Sequence, residues 1–371
     1  MEEMKIMVLG VRGFPNVQGG VETHAEHLYP LLAELGCEIH LIARSPYTPA
    51  DHRRWKGIFI HRLWSPKASG LEAFLHSFIG VLYAAWHRPD ILHIHAIGPA
   101  LMTPLARILG IRVVVTHHGP DYEREKWGPF ARFILRMGEQ AGMRFSSRRI
   151  VISKVIKDLV QQRCGRDSTI IPNGVTLPKI LTSRNMLKRY DLTPQRYVLL
   201  VSRFVPEKRH LDLIAAFERA RLDGWKLVLV GDTSHPDRYT HSILSAAESN
   251  RDVITTGFQS GHNLQELYSH AGIFVLPSSH EGLPIALLEA LSYGLTTLAS
   301  DIPPHLEVAL PSTHYYPLGD TEALSYLLRQ FSGSINSAET RAALRQWVKE
   351  RYNWNSVARR TLDVYRKCLT G

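Results

Sequence analysis

Short apolar runs of strand length recur along the chain, each bounded by loop residues and most followed by a longer helical stretch. In the first half the runs lie at residues 5–11, 38–43, 58–63, 91–95, 112–116, 150–153 and 169–171. Helical patterning occupies 21–35, 71–86 and 99–109 between them. The alternation predicts a parallel sheet covered by helices. The second half repeats the plan, with strands expected at 197–202, 226–230, 253–256, 273–276 and 296–299. Helices are expected from His210 and over 285–291. The repeat is architectural, not a repeat of sequence. Between the halves, residues 177–195 mix charges and prolines with little periodicity, which places a hinge there. Residues 354–369 read as a closing amphipathic helix. The stretch 71–86 is so apolar that it predicts a core helix.

Composition narrows the class. At 371 residues the chain has length for two domains, and 44% hydrophobic with 21% charged residues describes a globular protein. Three scattered cysteines, Cys37, Cys164 and Cys368, form neither a disulfide framework nor a metal cluster, which predicts a reducing cytoplasm. The opening MEEMKIMVLG lacks a signal-peptide pattern. The apolar stretch 74–86, interrupted by His76, is too short to cross a bilayer. Net charge is +10 and uneven: residues 1–175 carry 22 basic against 15 acidic groups (+7), and residues 176–371 carry 22 against 19 (+3). The excess in the first half suits an anionic partner, and a peripheral contact with an anionic membrane is one expectation. Basic runs with interleaved aromatics are missing, so no nucleic-acid partner is expected.

The chemistry concentrates in residues 273–303, IFVLPSSHEGLPIALLEALSYGLTTLASDIP, read as strand, tight loop, helix, strand. Pro284 suits the first helical position. The N–H groups around Gly282 and Leu283 then lie at a helix N-terminus, which favours an anion such as phosphate. Glu281 sits beside that position, and Glu289 lies roughly 8–12 Å further along. Two carboxylates cannot hold a phosphate, yet they accept hydrogen bonds from hydroxyls on either side of it. A nucleotide-sugar offers that sequence of groups: ribose, diphosphate, sugar. Arg203 and Lys208, at a strand end and helix start, supply two cations for two phosphates. Near the N-terminus, a Gly-rich loop over residues 12–20 joins strand to helix. Its Gly10-x-x-Gly13 is not the dinucleotide fingerprint. His117 and His118 stand at the carboxyl end of a strand, where open α/β sheets place their sites, and His95 ends the strand before.

The run EGLP-x4-EA-x3-G resembles the E-x7-E element of the retaining family-4 glycosyltransferases, which have the GT-B fold. The resemblance implies that Glu281 contacts the donor sugar and Glu289 the ribose. Gly19-Gly20 before Val21-Glu22 resembles the family's GG-x-E loop at the donor diphosphate. Thr116-x-His118-Gly119 resembles its T-x-H-G element, whose histidine lies beside the transferred sugar. Arg203-x4-Lys208 resembles the R-x4-K pair that neutralises the leaving diphosphate. Pro172-Asn173-Gly174-Val175 is similar to the P-N-G-V segment, with Thr176 where the family usually has Asp. Gly257-Phe258 resembles the turn close to the base. The opening RGF-x4-GG-x-ET, with the loop GPDYEREKWG, resembles a bacterial subgroup that includes rhamnosyltransferases of surface polysaccharides.

This resemblance implies an α/β GT-B protein with two Rossmann-like domains facing across a cleft. Residues 1–180 would form the acceptor-side domain, joined by helix 354–371, and 181–353 the nucleotide-sugar domain. The expected activity is retaining transfer of a sugar from a nucleotide diphosphate sugar to a hydroxyl of a glycan or glycolipid, in bacterial surface polysaccharide biosynthesis. His118, Arg203, Lys208 and Glu281 are the expected catalytic residues. Gly19, Gly20, Asn173, Gly257, Phe258, Gly282, Leu283 and Glu289 are expected around the donor. His95, Asp121, Tyr122, Arg124 and Lys126 are acceptor-side candidates. No cofactor is expected, the nucleotide-sugar being a substrate. No D-x-D occurs in the chain, and no metal is expected. A phosphorylase or epimerase on this fold, or a non-catalytic sugar or lipid-phosphate binding module, are the competing readings.

Overall fold

The computed structural model describes residues 3–66, 71–124, 127–233, 236–334 and 336–370. The chain divides into two units, Met1–Gly174 with Trp354–Gly371, and Val175–Asn353. In the second unit the Val175 N–H donates to the Tyr352 carbonyl, and Val175 bridges Asn353, so both ends of that unit are tied together.

Among the described residues the first unit is built on eight strands: β1 (Met4–Leu9), β2 (Cys37–Arg44), β3 (Arg54–Trp55), β4 (Ile58–Leu63), β5 (Ile91–His95), β6 (Val113–His117), β7 (Arg148–Val151) and β8 (Thr169–Ile170). Their order across the sheet is β3-β4-β2-β1-β5-β6-β7-β8. Every pair is parallel except β3–β4, a hairpin turned by Lys56 and Gly57, both at positive φ. Two-residue β3 carries no apolar run, and the hydrophobic pattern does not reveal it. The chain moves outward from β1 through β2 to β4, then jumps back to β5 and continues the other way. This reversal makes the β1/β5 boundary a topological switch point, where loops at the carboxyl ends part and leave room for a ligand. Gly10 follows β1 there at φ +113, and a Cβ on it would lie 2.2 Å from the His95 carbonyl oxygen. Glycine is what lets the loop pass His95.

Right-handed crossovers send connections of opposite direction to opposite faces. Helices Gly20–Glu34 and Trp354–Thr370 pack together on one face. Helices Leu71–His87, Thr103–Ile108 and Pro129–Phe145 cover the other, the short middle one touching both neighbours. The main apolar cluster lies under the first pair, where Leu28, Tyr29 and Leu32 meet Ile6, Ile39 and Tyr365. Gly174 lets the closing helix seat: a Cβ on it would come 2.5 Å from the Trp354 ring.

The second unit carries β9 (Tyr197–Val201), β10 (Lys226–Val230), β11 (Val253–Thr255), β12 (Ile273–Leu276), β13 (Thr296–Ser300) and β14 (Tyr315–Tyr316). All pairs are parallel in the order β11-β10-β9-β12-β13-β14. Here the direction reverses between β9 and β12. The loops leaving these two strands, which carry Arg203–Lys208 and Glu281, therefore meet at the switch point of this sheet.

One expectation from the sequence is reversed. The helix Leu71–His87 is not a core helix: it buries Glu72, His76, Ser77, Gly80, Val81 and Ala84. Its large apolar side chains Leu71, Phe74, Phe78, Leu82 and Trp86 are exposed. Close packing on the sheet demands small residues, since a Cβ on Gly80 would lie 2.6 Å from the Leu9 side chain. Among the described residues, no helix is long and apolar enough to cross a membrane.

Candidate active site

In the second unit, β9 ends in a loop that closes with the 3-10 turn Pro206–Lys208. The Ser279 N–H donates to the Glu207 carbonyl at 2.9 Å, stapling the loop after β12 to that turn. The staple brings the Lys208 ammonium into contact with the Glu281 carboxylate, both largely shielded from solvent. Lys208 and Glu281 thus form one unit, where the sequence presented a cation for phosphate and a separate acid for sugar. Arg203 stands two residues beyond β9, half-buried. Burial alone would raise the Glu281 carboxyl, but the Lys208 ammonium and His305 outweigh it and hold the group below its ordinary value.

Pro284 is the N-cap of helix Ile285–Ser292, not its first residue, and no side chain caps that turn. Gly282 is half-buried and Leu283 buried just ahead of it. Glu289 lies in the second turn, where the Tyr268 hydroxyl donates to it at 3.2 Å. Burial pushes the Glu289 carboxyl up to about 7, against the opposing effect of that hydrogen bond. An acid this poorly solvated is positioned to accept hydrogen bonds from arriving hydroxyls.

The Glu289 shift has a consequence for stability. Below pH 4.5 the folded and unfolded chains both hold the proton, and Glu289 costs nothing. Between there and about 7 the unfolded chain ionises first, so stability falls as pH rises, by roughly 3 kcal/mol in all. Glu289→Gln removes the titration. Urea melts are expected to show the variant gaining stability over wild type progressively from about pH 5 to about pH 8. A difference independent of pH would remove the buried acid from the account.

His305 is a residue that the sequence does not flag, because nothing in its short PPHL helix marks it. It is buried, and its Nδ1–H donates to the Ser300 carbonyl at 2.9 Å. Burial lowers its pKa to about 4, so the neutral ring carries its acceptor on Nε2, which has no hydrogen-bond partner among the described residues. On the far side of the sheet centre, Gly257 turns the chain after β11 at φ +68, and Phe258 stands 43% exposed beside it. The Gly231 N–H donates to the Gly257 carbonyl, which joins the ends of β10 and β11.

In the first unit the Gly-rich loop is held by its own side chains. Arg12 donates from its guanidinium to the Gln18 carbonyl and from its backbone to Glu22 Oε1, each at 2.9 Å. Gly19 caps helix Gly20–Glu34, and a Cβ on it would collide with the Glu22 carboxylate. A Cβ on Gly20 would meet nothing within 4 Å, so the space beside this helix start is open.

The histidines gather behind that opening. The His24 Nδ1–H donates to Asn173 Oδ1 at 2.9 Å, and the His24 ring meets His118 edge-on at 5.0 Å. His24 and Asn173 are 149 residues apart, and the pairing is invisible in sequence. His95 Nδ1 lies 2.8 Å from His118 Nε2, and His95 Nε2 contacts the Tyr29 hydroxyl. His93 Nδ1 lies 2.6 Å from the Tyr365 hydroxyl, while its Nε2 reaches Thr116 at 2.7 Å. One set of protons satisfies these contacts together. Tyr365 donates to His93, Tyr29 donates to His95, and His95 Nδ1–H donates to His118 Nε2. His118 then keeps its proton on Nδ1. Burial holds His118 and His95 well below their ordinary value, with the neighbouring histidines adding to the shift. Burial also lowers His24 to about 4 and His93 to about 3. His118 is therefore a neutral imidazole near neutral pH.

Nitrogens of His24, His95 and His118 fall within 4.8 Å of one another, the kind of group that can hold a metal. Zinc bonds of about 2.0–2.1 Å keep tetrahedral nitrogens roughly 3.4 Å apart. The 2.8 Å between His95 and His118 is a hydrogen-bond length.

The acceptor-side candidates fare unevenly. Tyr122 is 2% exposed and donates to Glu139 at 3.0 Å, beneath Arg163. It belongs to the packing of helix Pro129–Phe145 and not to a solvated loop. Glu139 also takes the Nε2–H of His117 at 2.9 Å, which fixes His117 inside the fold. Asp121 and Arg124 pair at 2.8 Å, both partly exposed. Lys126 lies outside the described residues.

Residues 18–178 match the family model described as Glycosyltransferase Family 4, and residues 185–340 match that described as Glycosyl transferases group 1. The chain is 28% identical over 224 residues to the putative teichuronic acid biosynthesis glycosyltransferase TuaC of Bacillus subtilis (strain 168). That alignment covers 58% of this chain and 54% of the relative, so the chain spans about half the relative's length. Among solved structures it is similar to sucrose-phosphate synthase from Thermosynechococcus elongatus, with a TM-score of 0.84 at 20% identity over 99% of both chains. It is also similar to Anabaena HepE in complex with UDP-glucose, with a TM-score of 0.79 at 17% identity over 98% of this chain and 100% of that one. The chain thus carries a Glycosyltransferase Family 4 domain followed by a Glycosyl transferases group 1 domain, and its fold is GT-B.

Proposed function

We propose that this protein is a retaining, metal-independent glycosyltransferase that moves a sugar from a nucleotide diphosphate sugar to a hydroxyl of a glycan or lipid-linked saccharide. The observation that carries the reading is the Lys208–Glu281 pair, held ahead of the uncapped helix that bears Glu289. Departure of the diphosphate puts negative charge on phosphate and positive charge on the sugar ring. Arg203, Lys208, the N–H groups from Gly282 onward and the Gly19-Gly20 loop stabilise the first. Glu281, Glu289 and His118 orient the donor, and much of the acceleration is positioning. The acceptor oxygen bonds to the anomeric carbon on the face that the diphosphate leaves, as the C–O bond to phosphate breaks. A leaving-phosphate oxygen takes the acceptor's proton, and no side chain is assigned as base.

The half-exposed Phe258 beside Gly257 offers a ring for the nucleobase. The UDP-glucose complex of HepE supports a nucleotide-sugar donor, and the role in teichuronic acid biosynthesis that TuaC's name carries supports a surface polysaccharide as destination. The loop motifs resemble a subgroup that includes rhamnosyltransferases, so the transferred sugar is read as a hexose or deoxyhexose, and the three scattered cysteines support a cytoplasmic reaction.

A thermal-shift panel of UDP-, GDP-, ADP- and dTDP-sugars tests the donor, since a ligand bound only by the native state raises its melting temperature. One class is expected to stabilise, and NMR of the product is expected to show the donor's anomeric configuration preserved. Inverted product, or activity lost to a chelator and restored by metal, would overturn the mechanism; a panel with no shift at all would overturn donor binding.

A further inference from the structure

The helical face of the first sheet that carries Leu71–His87 is built inside out. Helix Leu71–His87 turns small and polar residues inward and exposes Leu71, Phe74, Phe78, Leu82 and Trp86, the last at 85%. These recur at spacings of three and four, one continuous stripe along 17 residues or about 25 Å. Helix Pro129–Phe145 repeats the inversion: Gly138, Glu139, Gly142 and Met143 are buried. A Cβ on Gly138 would lie 2.2 Å from the Ile97 carbonyl oxygen, so this helix also presses its small residues to the fold. Outward it shows Phe130 at 78%, Phe133, Met137 and Phe145. The short helix packed against both adds Ile108 at 81% exposure.

The exposed charges carried by the three helices have one sign. The acids of the two long helices point inward: Glu72 is bound by Arg44 at 2.9 Å, and Glu139 by His117 and Arg163. The exposed charges are Arg136 and Arg144 on the third helix and Arg107 on the short one. Apolar anchors flanked on these helices by arginine, with exposed Glu123 near Arg136 as the acid beside them, suit a bilayer boundary with anionic headgroups, where aromatic rings enter the acyl edge and guanidinium groups meet phosphate. A second copy of the same face would bring arginine toward arginine.

We propose that the outer face of helices Leu71–His87, Thr103–Ile108 and Pro129–Phe145 is a docking surface for an anionic lipid bilayer, lying flat in its interface. The assignment is independent of the transfer reaction, and its test uses neither donor nor acceptor. The full chain is sedimented with vesicles of phosphatidylglycerol and phosphatidylcholine in equal parts, and with phosphatidylcholine alone, at low and high salt. Binding is expected on the anionic vesicles and is expected to weaken with salt. The exposed triple substitution Phe74→Ser, Phe78→Ser, Trp86→Ser is expected to lower that binding at least tenfold with the melting temperature unchanged. No binding to anionic vesicles, equal binding to both lipids, or undiminished binding by the triple variant would overturn the proposal. A concentration-dependent dimer dissolved by the same substitutions would also overturn it.

Discussion

Lys208→Ala is expected to abolish the thermal shift given by the best nucleotide-sugar and to lower kcat/KM about a thousandfold, the scale of losing one preorganised charge at a leaving group. The reason is geometric. Lys208 ends a turn whose Glu207 carbonyl is held by Ser279, so the ammonium is in place before any ligand arrives. Truncation also leaves Glu281 shielded and unpaired, a cost to folding that must be separated from the loss of binding. The double variant Lys208→Ala, Glu281→Gln makes the separation, because it removes the orphaned charge. Its melting temperature is expected to recover toward wild type while the donor shift stays absent. If the double variant regains the shift, Lys208 acts only by holding Glu281, and the diphosphate role falls to Arg203.

How much of the fold and the site is readable in the chain depends on range. Strands β5, β4, β10 and β12 appear at the expected residues because a short apolar run flanked by loop residues has few other uses. The set Arg203, Lys208, Glu281 and Glu289 is legible because each sits at a fixed step from a strand end, and parallel sheets bring such ends together. Contacts across long separations are not legible. His24 reaches Asn173 only because the chain leaving β8 comes back to helix Gly20–Glu34, and no local pattern encodes that. Tyr122 reads as a loop residue since its neighbours are polar, yet its ring closes over Glu139. Helix Leu71–His87 shows a different limit. Periodicity identifies which residues share a face, but not which face turns inward, and mean hydropathy favours the wrong one here. The deciding features are the small residues Ser77, Gly80 and Ala84, whose size matters only once the sheet is 2.6 Å from a would-be Cβ.

His118→Ala is expected to lower kcat by a factor of about a hundred to a thousand with little change in donor affinity, the signature of a hydrogen bond that matters in the transition state. Because burial keeps His118 neutral, the wild-type rate is expected to show no limb near pH 6.5 that His118→Ala removes. Its contribution is a fixed N–H on Nδ1, set by the bonds from Tyr29 through His95. Tyr29→Phe therefore tests the same idea from a distance. The ring still fills its site, but the proton that fixes His95 is gone, and His95 is free to take either tautomer. About a tenfold loss in kcat is expected, with KM steady and the imidazole nitrogen resonances of His118 changing from one tautomer to a mixture. A Tyr29→Phe enzyme with full activity and unaltered His118 resonances would show that the hydroxyl merely packs. The histidine would then be oriented by His24, whose edge-on ring and bond to Asn173 supply the remaining constraint.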